Sequence, residues 1–287
     1  MADVQPVVDL YVPAEITRRM EQTGVTKANL PLYKSALLAV LAGAFIALGS
    51  VFFLTATTDV KGGFGVGQVL GGLSFCLGLA LVVIAGAELF TGNCLAIIAA
   101  ASGKISVGKL LRNWLVVWLG NLVGALLIAG IVYGAQHWSA DANLVGARAL
   151  SVGASKAALP FWVAFWRGIM CNLLVCLAVW LAAAGRTVTD KMLGVLLPVS
   201  AFVAAGFEHS VANMFFIPYA LFIKAQPAVV SAAALAPDKL AHLTWGGFVM
   251  NLIPVTLGNI VGGAVFVGLA YWLIYLWDSA AASRKVA

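Results

Sequence analysis

The chain has 287 residues, of which 62% are hydrophobic and only 10% are charged. Soluble globular proteins carry about 25% charged residues, so this composition excludes a water-soluble globule and predicts an integral membrane protein. The net charge of +6 does not indicate nucleic-acid binding, because the lysines and arginines are scattered through short connections without forming a basic stripe.

The first predicted element is a polar, cytoplasmic N-terminal segment of residues 1–33. It contains acidic residues and lacks the pattern of a signal peptide, so we expect the chain to be mature from its start. Pro13 early and Gly24 late predict a short amphipathic helix that lies on the membrane face and ends at Gly24. Such a helix is either a docking segment alone or a part of a gate.

Four apolar segments have the length of a single membrane crossing, which takes about 20 residues. They are residues 35–55, 114–133, 159–184 and 248–276. Two others, residues 69–101 and 192–222, would reach about 45–50 Å as straight helices, against a hydrocarbon core of about 30 Å. We therefore predict an all-α fold with six transmembrane segments, in which the second and fifth helices are broken.

The motif A-G-x-E-x4-N occurs in both long segments, at residues 85–93 and again 120 positions later at residues 205–213. Glycines and prolines near the motif are candidates for the break, namely Gly86, Gly92, Pro198, Gly206 and Pro218. The third and sixth segments also match, because asparagines eight positions apart occur in each. These pairs are Asn113 with Asn121 and Asn251 with Asn259.

Each repeat has three crossings, and this odd number reverses the orientation of the second repeat relative to the first. The first and fourth segments share only a glycine, Gly43 or Gly168. We predict one channel domain of residues 34–277, built from inverted repeats at 34–137 and 158–277 and followed by a cytoplasmic tail at 278–287.

The basic residues predict the orientation of the chain. With a cytoplasmic N-terminus, eleven lysines and arginines lie inside and five lie outside. This asymmetry agrees with the positive-inside rule and predicts a multi-pass protein with both termini in the cytoplasm. Arg167 is the one basic residue within a span, and it is a candidate partner for a buried carboxylate.

Broken helices at membrane depth require a cavity or surrounding protein, because lipid satisfies no backbone group. The half-helix after each break presents free N–H groups and a positive dipole end, which favour an anion. Thr91, Asn93, Ser210 and Asn213 either cap these helix starts or, for Thr91 in particular, hydrogen-bond the anion directly.

The motif carboxylates and one histidine have different predicted roles. Glu88 and Glu208 would repel an anion, so we place them beside the path, where they pin the breaks by accepting hydrogen bonds. His209 has no counterpart in the first motif, where Leu89 stands. It either passes a proton to, or hydrogen-bonds, the anion of a weak acid, or it is a packing residue.

Other candidates are weaker on sequence alone. Phe75, Leu79 and Phe202 lie one to four turns from the breaks and either narrow a path or belong to the ordinary core. Lys156, in an outer loop, either attracts anions or is a plain surface lysine. The four cysteines have no metal-ligand spacing, so we expect packing residues, with no metal and no cofactor.

Four long stretches of the chain resemble the formate/nitrite transporter family, and its formate channels most of all. They are AELFTGN at 87–93, CNLLVCLAVW at 171–180, FEHSVANMF at 207–215 and NLIPVTLGN at 251–259. The resemblance covers almost the whole chain. It implies a homopentamer of aquaporin-like protomers in membrane lipid, each with its own pore.

The resemblance also implies roles for single residues. Residues that border the path would be Thr91, His209, Lys156 and Asn259. Hydrophobic constrictions would be formed by Phe75, Leu79 and Phe202, with Val175 alongside. Asn172 and Glu208 would hold His209 in orientation, and the N-terminal helix would act in pH-dependent gating.

The predicted function is transport of small monovalent anions, formate first, either passively or linked to protonation at His209. Nitrite, hydrosulfide and lactate remain alternatives, because the lining residues do not separate them. A neutral-solute channel of the aquaporin type would need Asn-Pro-Ala at the half-helix starts, where Asn93-Cys94-Leu95 and Asn213-Met214-Phe215 stand instead. An enzyme is not expected, since the three histidines are scattered and form no catalytic pair.

Overall fold

A computed structural model of the protein describes residues 9–278. The predicted tail, apart from Asp278, and the first eight residues lie outside this range. The helices, in chain order, are α1 (Pro13–Ala28), α2 (Leu32–Ala56), α3 (Gly63–Leu81), α4 (Phe90–Asn93), α5 (Ile97–Ala101), α6 (Val107–Gly134), α7 (Leu144–Ala157), α8 (Phe161–Ala184), α9 (Val188–Ala204), α10 (Ser210–Ile223), α11 (Pro227–Ala233), α12 (Pro237–Ala241), α13 (Trp245–Ile260) and α14 (Ala270–Tyr275).

Short stretches of other helix types join several of these elements. A π-helical turn at Val82–Gly86 continues α3, and a longer one at Val261–Leu269 connects α13 to α14. Turns of 3-10 helix lie at Cys94–Ala96 and His137–Ser139. The described residues contain no strand, so the predicted all-α fold is confirmed.

Five helical stretches are long and apolar enough to cross a membrane. They are α2, α3 with its π turn, α6, α8, and the stretch from α13 through α14. The remaining apolar segment is divided between α9 and α10. The six predicted segments are therefore present, and the second and fifth are interrupted.

Glycine conformation explains where both interruptions fall. Gly86 has φ +87° and Gly206 has φ +71°. This left-handed backbone conformation is sterically unfavourable for residues that have a Cβ. After each glycine the chain runs extended for three residues and then begins α4 or α10. Pro198 and Pro218 lie inside α9 and α10 and do not break them. The glycines, and not the prolines, end the first half of each segment.

Close helix packing is built from small residues in matching places of the two halves. A Cβ on Gly124 of α6 would lie 1.9 Å from the carbonyl oxygen of Val40 in α2. A Cβ on Gly262, just after α13, would lie 2.2 Å from the carbonyl oxygen of Ile169 in α8. In lipid there is no hydrophobic driving force for helices to associate. The van der Waals contacts of such closely packed backbones therefore stabilise the helix pairs.

The N-terminal helix differs from its prediction. Gly24 does not end α1, which continues to Ala28. A Cβ on Gly24 would lie 3.0 Å from the Cβ of Ala99 and 3.1 Å from the Cα of Ala96. Gly24 is therefore a contact residue that lets α1 pack against the stretch after the first break.

Candidate functional site

Two cavities approach each other along α3. The first, of about 520 Å³, lies beside α1, and we call it the α1 cavity; its lining includes Lys27, Leu79, Val82, Glu88 and Asn93. The second, of about 360 Å³, lies beside α7, and we call it the α7 cavity; its lining includes Phe64, Phe75, Lys156, Phe202, Glu208 and His209. Since the start of α3 lines the α7 cavity and its end lines the α1 cavity, the two cavities enter from opposite ends of the bundle.

A polar pair lies between the cavities. The Thr91 Oγ1 and His209 Nε2 atoms are 3.2 Å apart, and both residues are almost fully buried. Thr91 stands in the first turn of α4, and His209 directly precedes α10. The starts of the two half-helices therefore meet at this pair.

Apolar side chains enclose the pair on both sides. The Phe202 ring stacks on the His209 ring with centroids 5.9 Å apart, and the Phe75 ring meets Phe202 edge-on at 5.8 Å. Leu79, one turn beyond Phe75 on α3, lines the α1 cavity. All three are no more than 3% exposed. An ion passing between the cavities must lose nearly all of its water here.

Glu88 is held by a dense network at the first break. Its carboxylate lies 3.0 Å from the Lys27 ammonium and accepts a hydrogen bond of 2.7 Å from the Asn93 side chain. The Asn93 amide also donates to Asn113 at 3.0 Å, and its oxygen accepts from Lys27 at 2.7 Å. The carboxylate charge is therefore neutralised by a lysine from the N-terminal helix.

Glu208 has matching partners at the second break. Its carboxylate lies 2.8 Å from the Lys156 ammonium and accepts a hydrogen bond of 2.7 Å from the Asn213 side chain. Asn213 in turn donates to Asn251 at 2.7 Å. Arg167, considered above as a neutralising partner, forms no ion pair among the described residues. Its backbone oxygen accepts from the Glu208 N–H instead.

Asparagines of α6 and α13 fix the backbone of the breaks. Asn121 accepts from the Phe90 N–H at 2.9 Å and donates to the carbonyls of Glu88 and Ala39. Asn259 accepts from the Ser210 N–H at 2.9 Å and donates to the carbonyls of Glu208 and Gly168. Each side chain thus satisfies a half-helix start and ties the break to a neighbouring span.

These matching contacts give the register of the repeats. Lys27 matches Lys156, and Ala39 matches Gly168, both 129 positions apart. The match pairs the first and fourth spans through Ala39 and Gly168, so Gly43 is not the counterpart of Gly168. It also extends the repeat to α1 and α7, upstream of the predicted starts at residues 34 and 158.

The caps of the half-helices differ from expectation. Thr91, Asn93, Ser210 and Asn213 do not cap either start. The His209 side chain caps α10, because its Nδ1 accepts from the Ala212 N–H at 3.1 Å. The residue that precedes α4 is Leu89, which has no side-chain acceptor, so the Phe90 N–H bonds Asn121 of α6 instead. His209, which has no counterpart in the first motif, therefore makes the start of α10 chemically different from the start of α4.

Two further predicted site residues, Asn172 and Val175, are buried and line neither cavity. Asn172 donates to the carbonyls of Thr91 at 3.1 Å and Asn259 at 2.6 Å. Among described residues the imidazole of His209 bonds Thr91 and Ala212, so neither Asn172 nor Glu208 orients the ring directly. Val175 is 1% exposed and lines neither cavity.

Several residues of the site were not predicted from the sequence. Lys27 was counted only as a basic residue, and Asn121, Asn113 and Asn251 only as marks of a repeat. The signal for the asparagines was their eight-residue spacing in both halves. No local sequence pattern indicates the role of Lys27, because its partner Glu88 lies far along the chain.

The buried Thr91–His209 pair places hydrogen-bonding groups at the starts of the two half-helices. Each carboxylate is paired with a lysine, so the positive ends of two half-helices remain to attract an anion. Across the described residues, histidine, cysteine, aspartate and glutamate form no cluster that would hold a metal. Two cavities that meet at an enclosed polar pair within an inverted repeat of broken helices define a membrane transport protein.

Comparisons with known proteins specify the family. The family model "Formate/nitrite transporter" matches residues 14–273. The formate channel FocA of Escherichia coli K12 is 45% identical over 275 residues, covering 94% of this chain and 96% of that protein. A probable formate transporter of Methanothermobacter thermautotrophicus is 42% identical, covering 92% and 97%. The chain belongs to the formate/nitrite transporter family.

Solved structures agree with this assignment. A pentameric formate channel with formate bound superposes with a TM-score of 0.79 at 47% identity, covering 85% of this chain and 98% of that one. An ion channel of the FNT family superposes with a TM-score of 0.77 at 32% identity, covering 91% and 98%. The recognised family and the broken-helix fold are therefore confirmed.

Proposed function

We propose that this protein carries formate across the bacterial inner membrane, through one path in each protomer of a homopentamer. The observation that carries the proposal is the buried Thr91–His209 pair, enclosed by apolar side chains between two lysine-lined cavities. The similarity to a formate channel and to a pentameric channel with formate bound supports both the substrate and the assembly.

The path begins with electrostatic attraction. Lys27 lines the α1 cavity and Lys156 lines the α7 cavity, each with N–H groups beyond those that bond its glutamate. The positive ends of α4 and α10 extend the attraction toward Thr91 and His209. The constriction of Phe75, Phe202 and Leu79 then strips water from the anion.

Hydrogen bonding at His209 compensates for the lost water. Because Nδ1 accepts from the Ala212 N–H, the neutral ring carries its proton on Nε2, where it points at Thr91. This Nε2–H can donate to an anion that enters between the two residues. To release that proton the ring would first need a second one on Nδ1, which would break the bond to Ala212. The geometry therefore favours a hydrogen-bond donor, with any proton transfer to formate as the second alternative.

Replacement of His209 tests this role. We expect His209→Phe to abolish formate uptake by proteoliposomes, and His209→Asn, which retains an N–H donor, to keep a measurable part of it. His242→Phe is the matched control, since His242 is an exposed histidine outside both cavities. Unchanged flux and pH dependence in His209→Phe, with intact oligomers, would remove the residue from the mechanism.

Nitrite, hydrosulfide and lactate are the rival substrates, because all are small monovalent anions of weak acids. Stopped-flow uptake of each, with and without a pH gradient, separates them and also separates channel from proton-coupled transport. We further propose that both termini face the cytoplasm, which makes the α1 cavity the inner one and the α7 cavity the outer one. The excess of basic residues on that side supports this orientation.

A further inference from the structure

The α7 cavity contains a guanidinium that the path described above does not use. Arg148 lies on α7 and lines this cavity. Its Nε donates to the Thr57 hydroxyl at 3.0 Å, and its guanidinium carbon lies 5.6 Å from the centroid of the Phe53 ring. These two contacts hold the planar group by one edge and one face, and among the described residues they leave both terminal nitrogens without a hydrogen bond.

This cation lacks an anionic partner. No carboxylate of the described residues lies within 4.0 Å of Arg148, and no described residue accepts a hydrogen bond from its terminal nitrogens. The side chain is half-buried, and burial lowers the pKa of Arg148 from its usual range, although an arginine stays charged at any physiological pH. A partly desolvated cation without a partner is costly unless an anion binds it.

The surroundings supply further donors on the same face. Ser151 and Ser155 follow Arg148 by three and seven positions, which places them on one side of α7, and both line the cavity. Within the described residues their hydroxyls form no hydrogen bond. Arg167 also lines this cavity without an ion pair. In the α1 cavity the guanidinium differs, because Arg19 lies 3.9 Å from Glu15 and over the Tyr11 ring.

We propose that Arg148 is a docking residue for planar anions with two oxygens, and that it makes the α7 cavity select such anions before they reach His209. Two parallel N–H groups match two carboxylate or nitrite oxygens, whereas an anion with one acceptor atom engages them singly. The inference rests on the proposed function and adds a specificity residue to the same path.

The test compares formate with hydrosulfide in proteoliposomes of Arg148→Lys and Arg148→Gln. Arg148→Lys keeps the charge but not the fork, so we expect the KM for formate to rise about fivefold while the KM for hydrosulfide changes less than about twofold. Arg148→Gln removes the charge and raises both values. The maximal rates stay near those of the unmodified protein, because the constriction is unaltered. Lys61→Gln, in the loop after α2, is the control for loss of an exposed positive charge.

Three outcomes decide the inference. If the unmodified protein carries formate and both Arg148 variants keep its KM values, the inference is wrong and the proposed function stands. If the unmodified protein carries no formate, the proposed function fails, and thermal unfolding in detergent then reports on docking alone: formate should raise the Tm of the unmodified protein but not of Arg148→Gln. Should Arg148→Gln fail to assemble, Thr57→Val, which frees the guanidinium edge, should raise the KM for formate about two- to threefold.

Discussion

At the scale of single residues, the two buried glutamates have unequal surroundings. Among the residues that the structure describes, the Lys27 ammonium bonds both Glu88 and Asn93, whereas the Lys156 ammonium bonds Glu208 alone. The side-chain oxygen of Asn213 is buried and has no partner within residues 9–278, although its counterpart on Asn93 accepts from Lys27. The side chain of Lys156 is also less exposed, at 16% against 25% for Lys27. The stability of the second break therefore depends more on Glu208 than the stability of the first break depends on Glu88.

This asymmetry predicts the relative cost of removing each charge. Glu208→Gln leaves a mostly buried ammonium without a counter-charge and should destabilise the protein by about 1–3 kcal/mol. Glu88→Gln should cost less, because Lys27 keeps its bond to Asn93. Thermal unfolding in detergent measures both variants. A larger loss for Glu88→Gln would contradict the assignment, and adding Lys156→Gln to Glu208→Gln should restore part of the stability.

At the scale of elements, each broken segment combines one strained glycine with one supporting asparagine. The glycine permits the turn, and the asparagine satisfies the N–H and C=O groups that the turn leaves exposed. Asn259 makes two such bonds at the second break, to Ser210 and Glu208, and a third to Gly168 on α8. Buried amide groups without partners cost about 1–3 kcal/mol each, so the break is stable only with this side chain in place.

Backbone strain at the break can be measured separately from packing. Gly206 has φ +71°, and a Cβ added there would meet no atom within 4 Å. We expect Gly206→Ala to destabilise the protein by about 1–2 kcal/mol through the left-handed conformation alone. Gly130→Ala is the matched control, because Gly130 lies in α6 with equal open space and ordinary helical geometry. That control should be neutral or slightly stabilising, and equal losses in both variants would contradict the role of strain.

At the scale of the whole molecule, the outer surface is strongly apolar and the polar groups lie inside. Large side chains such as Leu197 and Trp162 are 74% and 65% exposed, as expected for surfaces that face lipid or neighbouring protomers. All four cysteines are buried and free. The chain therefore offers almost no background to thiol-labelling reagents.

This property allows the proposed topology to be tested. A cysteine at Ser139 lies in the exposed connection after α6, and a cysteine at Val107 lies at the exposed start of the same helix. We expect an impermeant maleimide to label Ser139→Cys in intact cells, and to label Val107→Cys only after the membrane is opened. The reverse pattern would invert the proposed orientation and exchange the outer and inner cavities.

The sequence alone determined the membrane location, the six segments, the two breaks and the inverted repeat. Each of these depends on local composition or on a motif that recurs in the chain, such as the glutamate and asparagine of residues 85–93 and 205–213. The two long apolar segments exceed the membrane thickness as straight helices, and this does not depend on how the rest of the chain folds. The resemblance of long motifs supplied the family.

Only the tertiary structure decided which side chains meet. Lys27 pairs with Glu88, and Lys156 pairs with Glu208, over separations that no local pattern encodes. The same is true of Asn121 and Asn259, whose bonds reach backbone groups on other helices. Arg167 was a plausible partner by depth alone, but its side chain follows the face of α8 that lines the cavity. Ion pairs and amide bonds form between groups a few ångströms apart, and helix packing sets those distances.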